Sequence, residues 1–477
     1  MSMMTIQFIG LVLAVYCILY VCGKLQKSDK TYKRTRNWIL IAASFGFMCY
    51  ADVRFACVLL AVSLCAFVFA KYKKLWFIGV IMSIAGLCYF KYTNFFISSF
   101  GKLVGNDYGA LKIILPLGIS FYTFSAIGYI IDVKRGEIEP RSFEEVLTYI
   151  TFFPKITSGP IQRSNDFFSQ IDERKQLGVS TFVPGMEIFF FGLFKKIVLA
   201  DRLSVFVNQV YDMPNTFSSF TVFLAVVAYS FQIYFDFSGY SDMAIGVGKM
   251  LGIEMPKNFN LPYLAHNVTE LWKRWHITLS TWLMKYLYIS LGGNRKGKFR
   301  TYLNLILTMV IGGIWHGANW TYVIWGLLHG LALAAHKAWM ELTGSVKKTQ
   351  SAVSNVISIT LTFLFTTFCW IFFRAESLSN ALAVIGRIFS FKTGVFQPFL
   401  WLFATLIIYF VCVAFAAKRS KSNPEEKPKK LNFSFVNGFY PTLDLSKFWH
   451  LVVLFVFVGC IILFAYTGGS PFIYGNY

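Results

Sequence analysis

Charged residues are scarce in this 477-residue chain, at 14% of the total against about 25% in an ordinary soluble domain. Apolar residues take their place, at 56% with 19% aromatic, a composition that excludes the soluble globular class and points to a membrane protein. Acidic residues are the scarcer sign, 23 against 45 Lys and Arg, for a net charge of +22. The basic residues fall in short stretches between apolar runs, where they orient a chain in a bilayer. No aromatic-basic module for nucleic acid is present. The nine cysteines are odd in number, lie in apolar segments such as those of Cys57, Cys65 and Cys460, and form no CxxC pair, which disfavours a disulfide framework or a zinc ribbon. Long polar segments and internal repeats are also missing. So are a GxSxG elbow, a P-loop and a GxGxxG after a strand, so serine hydrolase, ATPase and nicotinamide chemistry are disfavoured.

What is present is a series of apolar runs. The first, Thr5 to Cys22, precedes the first basic cluster (Lys24, Lys27, Lys30, Lys33, Arg34, Arg36), the reverse of a secretory signal peptide. It reads as an uncleaved span with the N-terminus outside and the cluster in the cytoplasm. Further runs follow at 37 to 51, 53 to 70, 75 to 98, 111 to 133, 181 to 199, 217 to 252, 301 to 336, 353 to 373, 397 to 417 and 448 to 466. Several approach the roughly 20 residues that cross a bilayer. The basic loops after 70, after 133 and at 418 to 430 alternate as that orientation requires, which places the C-terminus outside as well. The expectation is an all-α polytopic protein whose residues 1–477 form one integral-membrane domain.

Three stretches depart from plain spans. Residues 150 to 171 carry Pro154, Gly159, Pro160 and Arg163 in an apolar background, so a re-entrant or interfacial turn is expected rather than a crossing. Residues 265 to 293 place Arg274, Thr278, Thr281 and Lys285 on one helical face, with Trp272, Trp275, Leu279, Trp282, Leu283 and Tyr286 opposite and His276 at the border. An amphipathic interfacial helix with an aromatic belt is expected there. From Thr301 to His336 there is no Asp, Glu, Lys or Arg. As one helix that stretch would reach about 54 Å, nearly twice the roughly 30 Å hydrocarbon core. It must break, and Gly312 to Asn319 is the expected place, with a shorter arm of about 20 Å over 303 to 315. Basic residues flank both outer ends (Arg295, Lys296, Lys298, Arg300 and Lys337), so His316 is expected at the tip of a hairpin deep in the membrane.

An ionisable group at that depth is a functional candidate, the alternative being a neutral imidazole that caps a broken helix end. A neutral imidazole, with a reference pKa of about 6.5, accepts a proton from a hydroxyl as it attacks a carbonyl. Backbone amides and indoles around 312 to 319 supply oxyanion donors. Acyl transfer without a covalent serine is the reaction these residues suit. His329 and His336 carry no comparable break and read as structural or interfacial. No two of the six histidines are three or four residues apart, so no metal is expected. Asp236 and Asp242, in a run otherwise apolar, face protein or water. They orient a histidine, bind a polar substrate, or pair with a buried Lys or Arg.

These residues resemble the membrane-bound O-acyltransferase (MBOAT) family, in its alginate O-acetylase branch. The matching stretches are LPLGISFYTF (115 to 124), FFPKITSGPIQR (152 to 163), FDFSGYSDMAIG (235 to 246), LWKRWHITLSTWL (271 to 283), LGGNRKG (291 to 297) and GGIWHGANWTYVIWGLLHG (312 to 330). The resemblance implies a ring of about 10 to 12 transmembrane or tilted helices around a central tunnel, with the motif-bearing core at 115–336 and peripheral spans at 1–110 and 340–470. It implies His316 as catalytic base and His276 beside the acyl path. Candidate substrate-lining residues within the motifs are Trp272, Arg274, Trp275, Asn294, Trp315, Asn319, Asp236, Ser238, Tyr240 and Asp242. Tyr474 joins them from an ending like the Phe-Ile-Tyr tails of this branch. No bound cofactor is implied. The donor is an acyl thioester, acetyl-CoA or an acyl-carrier protein, on the cytoplasmic side of a bacterial inner membrane. The acceptor is an extracytoplasmic polysaccharide, reached directly or through an extracytoplasmic acyltransferase or small membrane partner. D-alanyl transfer to teichoic acid is the alternative within the family, and a lipid or glycan transporter using Asp236 and Asp242 the alternative from another class.

Overall fold

A computed structural model describes residues 3–106, 108–344, 351–420, 448–466, 468 and 473. The protein is an all-α polytopic membrane protein. Among the described residues, five helical stretches are long and apolar enough to cross a bilayer: Ile6–Leu25, Val53–Lys71, Lys73–Val104, Ser219–Met250 and Ala352–Arg374. The helices pack into two compact units, Met1–Phe190 with Tyr240–Pro256, and Phe191–Gly239 with Lys257–Asn476. The 115–336 stretch contributes to both.

The first unit holds α1 (Ile6–Leu25), α2 (Asp29–Ala51), α3 (Val53–Lys71), α4 (Trp76–Val104), α5 (Ile119–Lys134), α6 (Phe143–Thr151), α7 (Ser164–Asp172) and most of α8 (Val179–Phe194). Side-chain caps set the starts: Thr5, Ser28 and Asp52 each accept from a backbone N–H of the first turn of α1, α2 and α3. Ser142 and Glu145 form a capping box on α6. The 111 to 133 run becomes helix only at Ile119, because Gly118 sits in the left-handed region (φ 71°) with a hypothetical Cβ 2.1 Å from the Ile156 carbonyl oxygen. Only glycine fits there. That carbonyl belongs to the 150 to 171 stretch, which ends α6, passes through a mostly buried series of turns over 152–163 and enters α7 rather than running as one helix. Tyr149 donates to the Gln162 carbonyl and the Gln162 amide donates to that of Glu254, each bond closing part of it.

The second unit holds the end of α8, α9 (Asp201–Asp212), α10 (Ser219–Met250) as far as Gly239, α11 (Val268–Arg274), α12 (Ile277–Trp282), α13 (Lys298–His316), α14 (Trp320–Leu342), α15 (Ala352–Arg374), α16 (Leu378–Phe389), α17 (Leu400–Ser420) and α18 (Phe448–Phe464). Two π-helical segments, Lys195–Ala200 and Leu283–Tyr288, interrupt the regular pitch, a feature that recurs at functional sites.

Helices α13 and α14 form the expected hairpin, but the break is narrower than expected. Gly312 and Gly313 remain helical, α13 runs to His316, and only Gly317 to Asn319 turn the chain. The glycines serve close packing. A Cβ at Gly313 would lie 2.2 Å from the Tyr322 carbonyl oxygen, one at Gly326 2.4 Å from that of Met309, and one at Gly330 2.8 Å from Ile306 Cα. Small residues at such a seam let two membrane helices approach backbone to backbone. At the open end, Glu341 ties the helices together, accepting from Tyr302 at 3.0 Å and pairing with Lys298 and Lys337.

Candidate active site

The hairpin delivers His316 as the last residue of α13, 3% exposed. Its ring lies 4.7 Å from that of Trp315, 5.1 Å from Trp325 and 5.0 Å from Phe373, centroid to centroid. The turn beside it is fixed by Asn319. That side chain accepts from Thr321 N–H at 3.1 Å to cap α14, and donates to the Glu376 carbonyl at 2.8 Å.

The RWH stretch is not one amphipathic helix. It breaks between α11 and α12 at His276, whose φ of 42° and ψ of 53° are left-handed. A non-glycine residue held there is strained, and such strain concentrates at functional sites. Periodicity missed the break because Asn258 holds it open from a distant loop. The Asn258 carbonyl accepts from Ile277 N–H at 2.9 Å, and its side chain accepts from the Thr278 hydroxyl at 2.6 Å. His276 is 1% exposed, edge-on to Phe237 at 4.6 Å and 6.4 Å from Trp315. Trp315 thus stands between the two imidazoles.

The tryptophans of this stretch differ in burial: Trp275 is buried, whereas Trp272 and Trp282 are half-buried, Trp282 packing on Tyr286 at 5.2 Å. Trp275 is buried against Trp370 at 4.9 Å and Phe259 at 5.1 Å. Trp272 packs on Trp325 at 5.7 Å and His329 at 5.2 Å. His329, read from sequence as structural or interfacial, is fully buried among Trp272, Trp325 and Phe365, and neither ring nitrogen meets a hydrogen-bond partner among the described residues. His336 joins α14 to α11 through Thr269 at 2.8 Å.

The remaining candidates separate. Asp236 pairs with buried Lys196 at 2.6 Å and accepts from Ile473 N–H at 2.9 Å, while Lys196 also pairs with Asp201 at 2.6 Å. Of the alternatives open from sequence, ion pairing is the one observed for Asp236. Ser238 is buried in the second unit, whereas Tyr240, hydrogen-bonded to Thr157, and Asp242 belong to the first. Arg274 pairs with Glu270 at 2.7 Å. Burial alone would raise the Glu270 carboxyl, but hydrogen bonds from His266 and Arg274 outweigh it and hold it below the usual carboxylate range. Asn294 is exposed in the turn before α13. Tyr474 lies outside the described residues. Among those residues no three His, Cys, Asp or Glu side chains gather as metal ligands. Sequence reading missed Trp325, Trp370 and Phe373, which wall the imidazoles from helices α14 and α15.

An enclosed histidine at the turn of a helical hairpin is the feature to set beside known proteins. The MBOAT, membrane-bound O-acyltransferase family, matches residues 1–378. The chain belongs to this family. A probable alginate O-acetylase AlgI of Pseudomonas putida is 36% identical over 469 residues, covering 93% of this chain and 94% of that relative. A peptidoglycan O-acetyltransferase of Helicobacter pylori is 40% identical over 342 residues, 66% of this chain and 64% of the relative. A teichoic acid D-alanyltransferase of Streptococcus thermophilus is 32% identical over 255 residues, 50% and 61%. The protein is thus an O-acyltransferase of the MBOAT family and a multi-pass membrane protein, which removes the transporter alternative.

Proposed function

We propose that this acyltransferase moves an acyl group, acetyl first among the choices, from a cytoplasmic thioester such as acetyl-CoA or an acyl-carrier protein to hydroxyls of an extracytoplasmic polysaccharide, with His316 as general base. The observation that carries the reading is the placement of His316, a buried imidazole at the turn of a hairpin without Asp, Glu, Lys or Arg from Thr301 to His336, packed on three aromatic rings. The acceptor hydroxyl gives its proton to the imidazole as its oxygen attacks the thioester carbonyl. The tetrahedral adduct then breaks its C–S bond, and the imidazolium returns the proton to the leaving thiolate, giving ester and thiol. The Trp325 Nε1–H, without a hydrogen-bond partner among the described residues, is a donor for the oxyanion. The two O-acetyl-transferring relatives favour acetyl over D-alanyl. The basic open end of the hairpin favours donor entry from the cytoplasm, in a bacterial inner membrane with both termini outside. An extracytoplasmic acyltransferase or small membrane partner completes delivery where the polymer is not reached directly.

The test is the acyl content of surface polysaccharide in cells carrying wild type, His316→Ala or His276→Ala, with membrane levels matched by blot. His316→Ala is expected to lower acylation rate about 10²- to 10⁴-fold, and the group released by base identifies acetyl or alanyl. Near-normal acylation with His316→Ala overturns the assignment.

A further inference from the structure

Beside the hairpin tip lies an open pocket of about 290 Å³ walled by Tyr211, Asp212, Arg374, Glu376, Ser377 and Asn380. It adjoins the candidate site directly. Arg374 follows Phe373, whose ring packs on His316 at 5.0 Å, and the Asn319 amide beside His316 donates to the Glu376 carbonyl. The volume lies just below the roughly 300–1,000 Å³ of small-ligand sites, room for one compact polar group.

The chemistry of the wall is mixed. Asp212 and Glu376 are exposed carboxylates that form no ion pair among the described residues. Arg374 spreads over the Tyr211 ring at 5.3 Å and donates to Asn208 at 2.8 Å, which leaves further guanidinium N–H donors for a ligand. Asn380 is held by its own bond to the Tyr211 carbonyl at 2.9 Å. Tyr211 is 2% exposed, yet its hydroxyl has no hydrogen-bond partner among the described residues.

We propose that this pocket binds one ring of an uncharged sugar and holds the acceptor chain at the histidine. Two carboxylates accept from ring hydroxyls, while Arg374 donates to ring and glycosidic oxygens. Two carboxylates against one guanidinium leave the wall net negative, which repels a uronate. The assignment of the sugar as acceptor rests on the acyl-transfer reading; the binding itself does not.

The test is calorimetry on the full chain in lipid nanodiscs with two probes, tetra-N-acetylchitotetraose and tetragalacturonic acid. The neutral tetramer is expected to bind at least about tenfold more tightly than the anionic one. Asp212→Asn combined with Glu376→Gln weakens the neutral tetramer by about tenfold or more, the loss expected for hydrogen bonds to charged groups. Arg374→Gln, which removes the lining guanidinium, weakens the same probe severalfold, with a thermal midpoint like wild type guarding against misfolding. The proposal is overturned if wild type fails to bind the neutral tetramer, if the anionic tetramer binds as tightly, or if the variants bind like wild type. Sugar binding in a wild-type protein that transfers no acyl group upholds the subsite and refutes the acyl-transfer reading instead.

Discussion

Gly312 and Gly313 are neighbours in one helix, and replacing each by Ala should give opposite results. A Cβ at Gly313 would fall 2.2 Å from the Tyr322 carbonyl oxygen, about 1.2 Å inside the 3.4 Å where ordinary contact begins, with Gly326 behind it at 3.2 Å. All these atoms are backbone, so the helices must separate. A Cβ at Gly312 would meet only the Leu283 Cδ1 methyl at 3.3 Å, the far end of a side chain able to rotate. Ala gains up to about 1 kcal/mol over Gly in a helix interior. Overpacking a tight seam costs about 1–3 kcal/mol. Gly312→Ala is therefore expected to be neutral or stabilising, and Gly313→Ala to lower the thermal midpoint. Gly313 is also one turn from His316, so a separation of about 1 Å displaces the imidazole. A misplacement of that size costs about 10²-fold in rate. The assay pairs thermal unfolding in detergent with the acylation rate at matched expression. Equal behaviour of the two variants in both readouts would refute the backbone-contact account of the hairpin.

Two further outcomes follow from the charges. Lys196→Met leaves Asp201 and Asp236 buried without their cation, a loss of roughly 3–5 kcal/mol. Unfolding in detergent reads it, and a midpoint like wild type would show that the triad contributes little. In the first unit Lys33 pairs with Glu145 at 2.5 Å and Asp172 at 2.6 Å, and Arg141 also pairs with Asp172 at 2.9 Å. Burial pushes both carboxyls up, but hydrogen bonds from Lys33, with Ser142 and Arg141, bring each below its usual value. Their stabilising contribution is present above the unfolded carboxylate value near 4 and is lost as pH falls through the lower folded value. Lys33→Met should therefore shrink the difference in thermal midpoint between pH 7 and pH 4, and an unchanged difference would rule out that linkage.

The hairpin was legible because an uncharged stretch longer than a bilayer admits few solutions. Its break point was less so. Gly312 and Gly313 look like helix breakers, yet in a membrane glycine also marks close helix contact, and the sequence does not distinguish the two. The RWH stretch shows how periodicity misleads. Its polar face is real as a pattern, but Asn258 captures the groups at Ile277 and Thr278 and forces His276 left-handed. The ion pair of Asp236 with Lys196 and the wall that Phe373 forms at His316 join residues tens of positions apart, where no local rule reaches. The pocket at Tyr211 and Arg374 was invisible for the same reason.

The second unit handles charge in a way that bears on how its histidines are oriented. Among its buried ions, Lys196 forms a triad with Asp201 and Asp236, while Arg387 donates to the Phe217 and Thr393 carbonyls. The ring contacts of His316 include two indoles and a phenyl, and those of His276 include a phenyl and an indole. Such walls fix a ring by shape, because edge-to-face packing has a preferred geometry, and a dry aromatic lining strengthens each hydrogen bond made inside it. A site held in this way is sensitive to volume. Removing the Phe373 ring takes away a wall of the imidazole, whereas a surface charge change leaves it in place. Shape errors at Gly313, Trp325 or Phe373 should therefore cost more activity than any single charge change on the described surface.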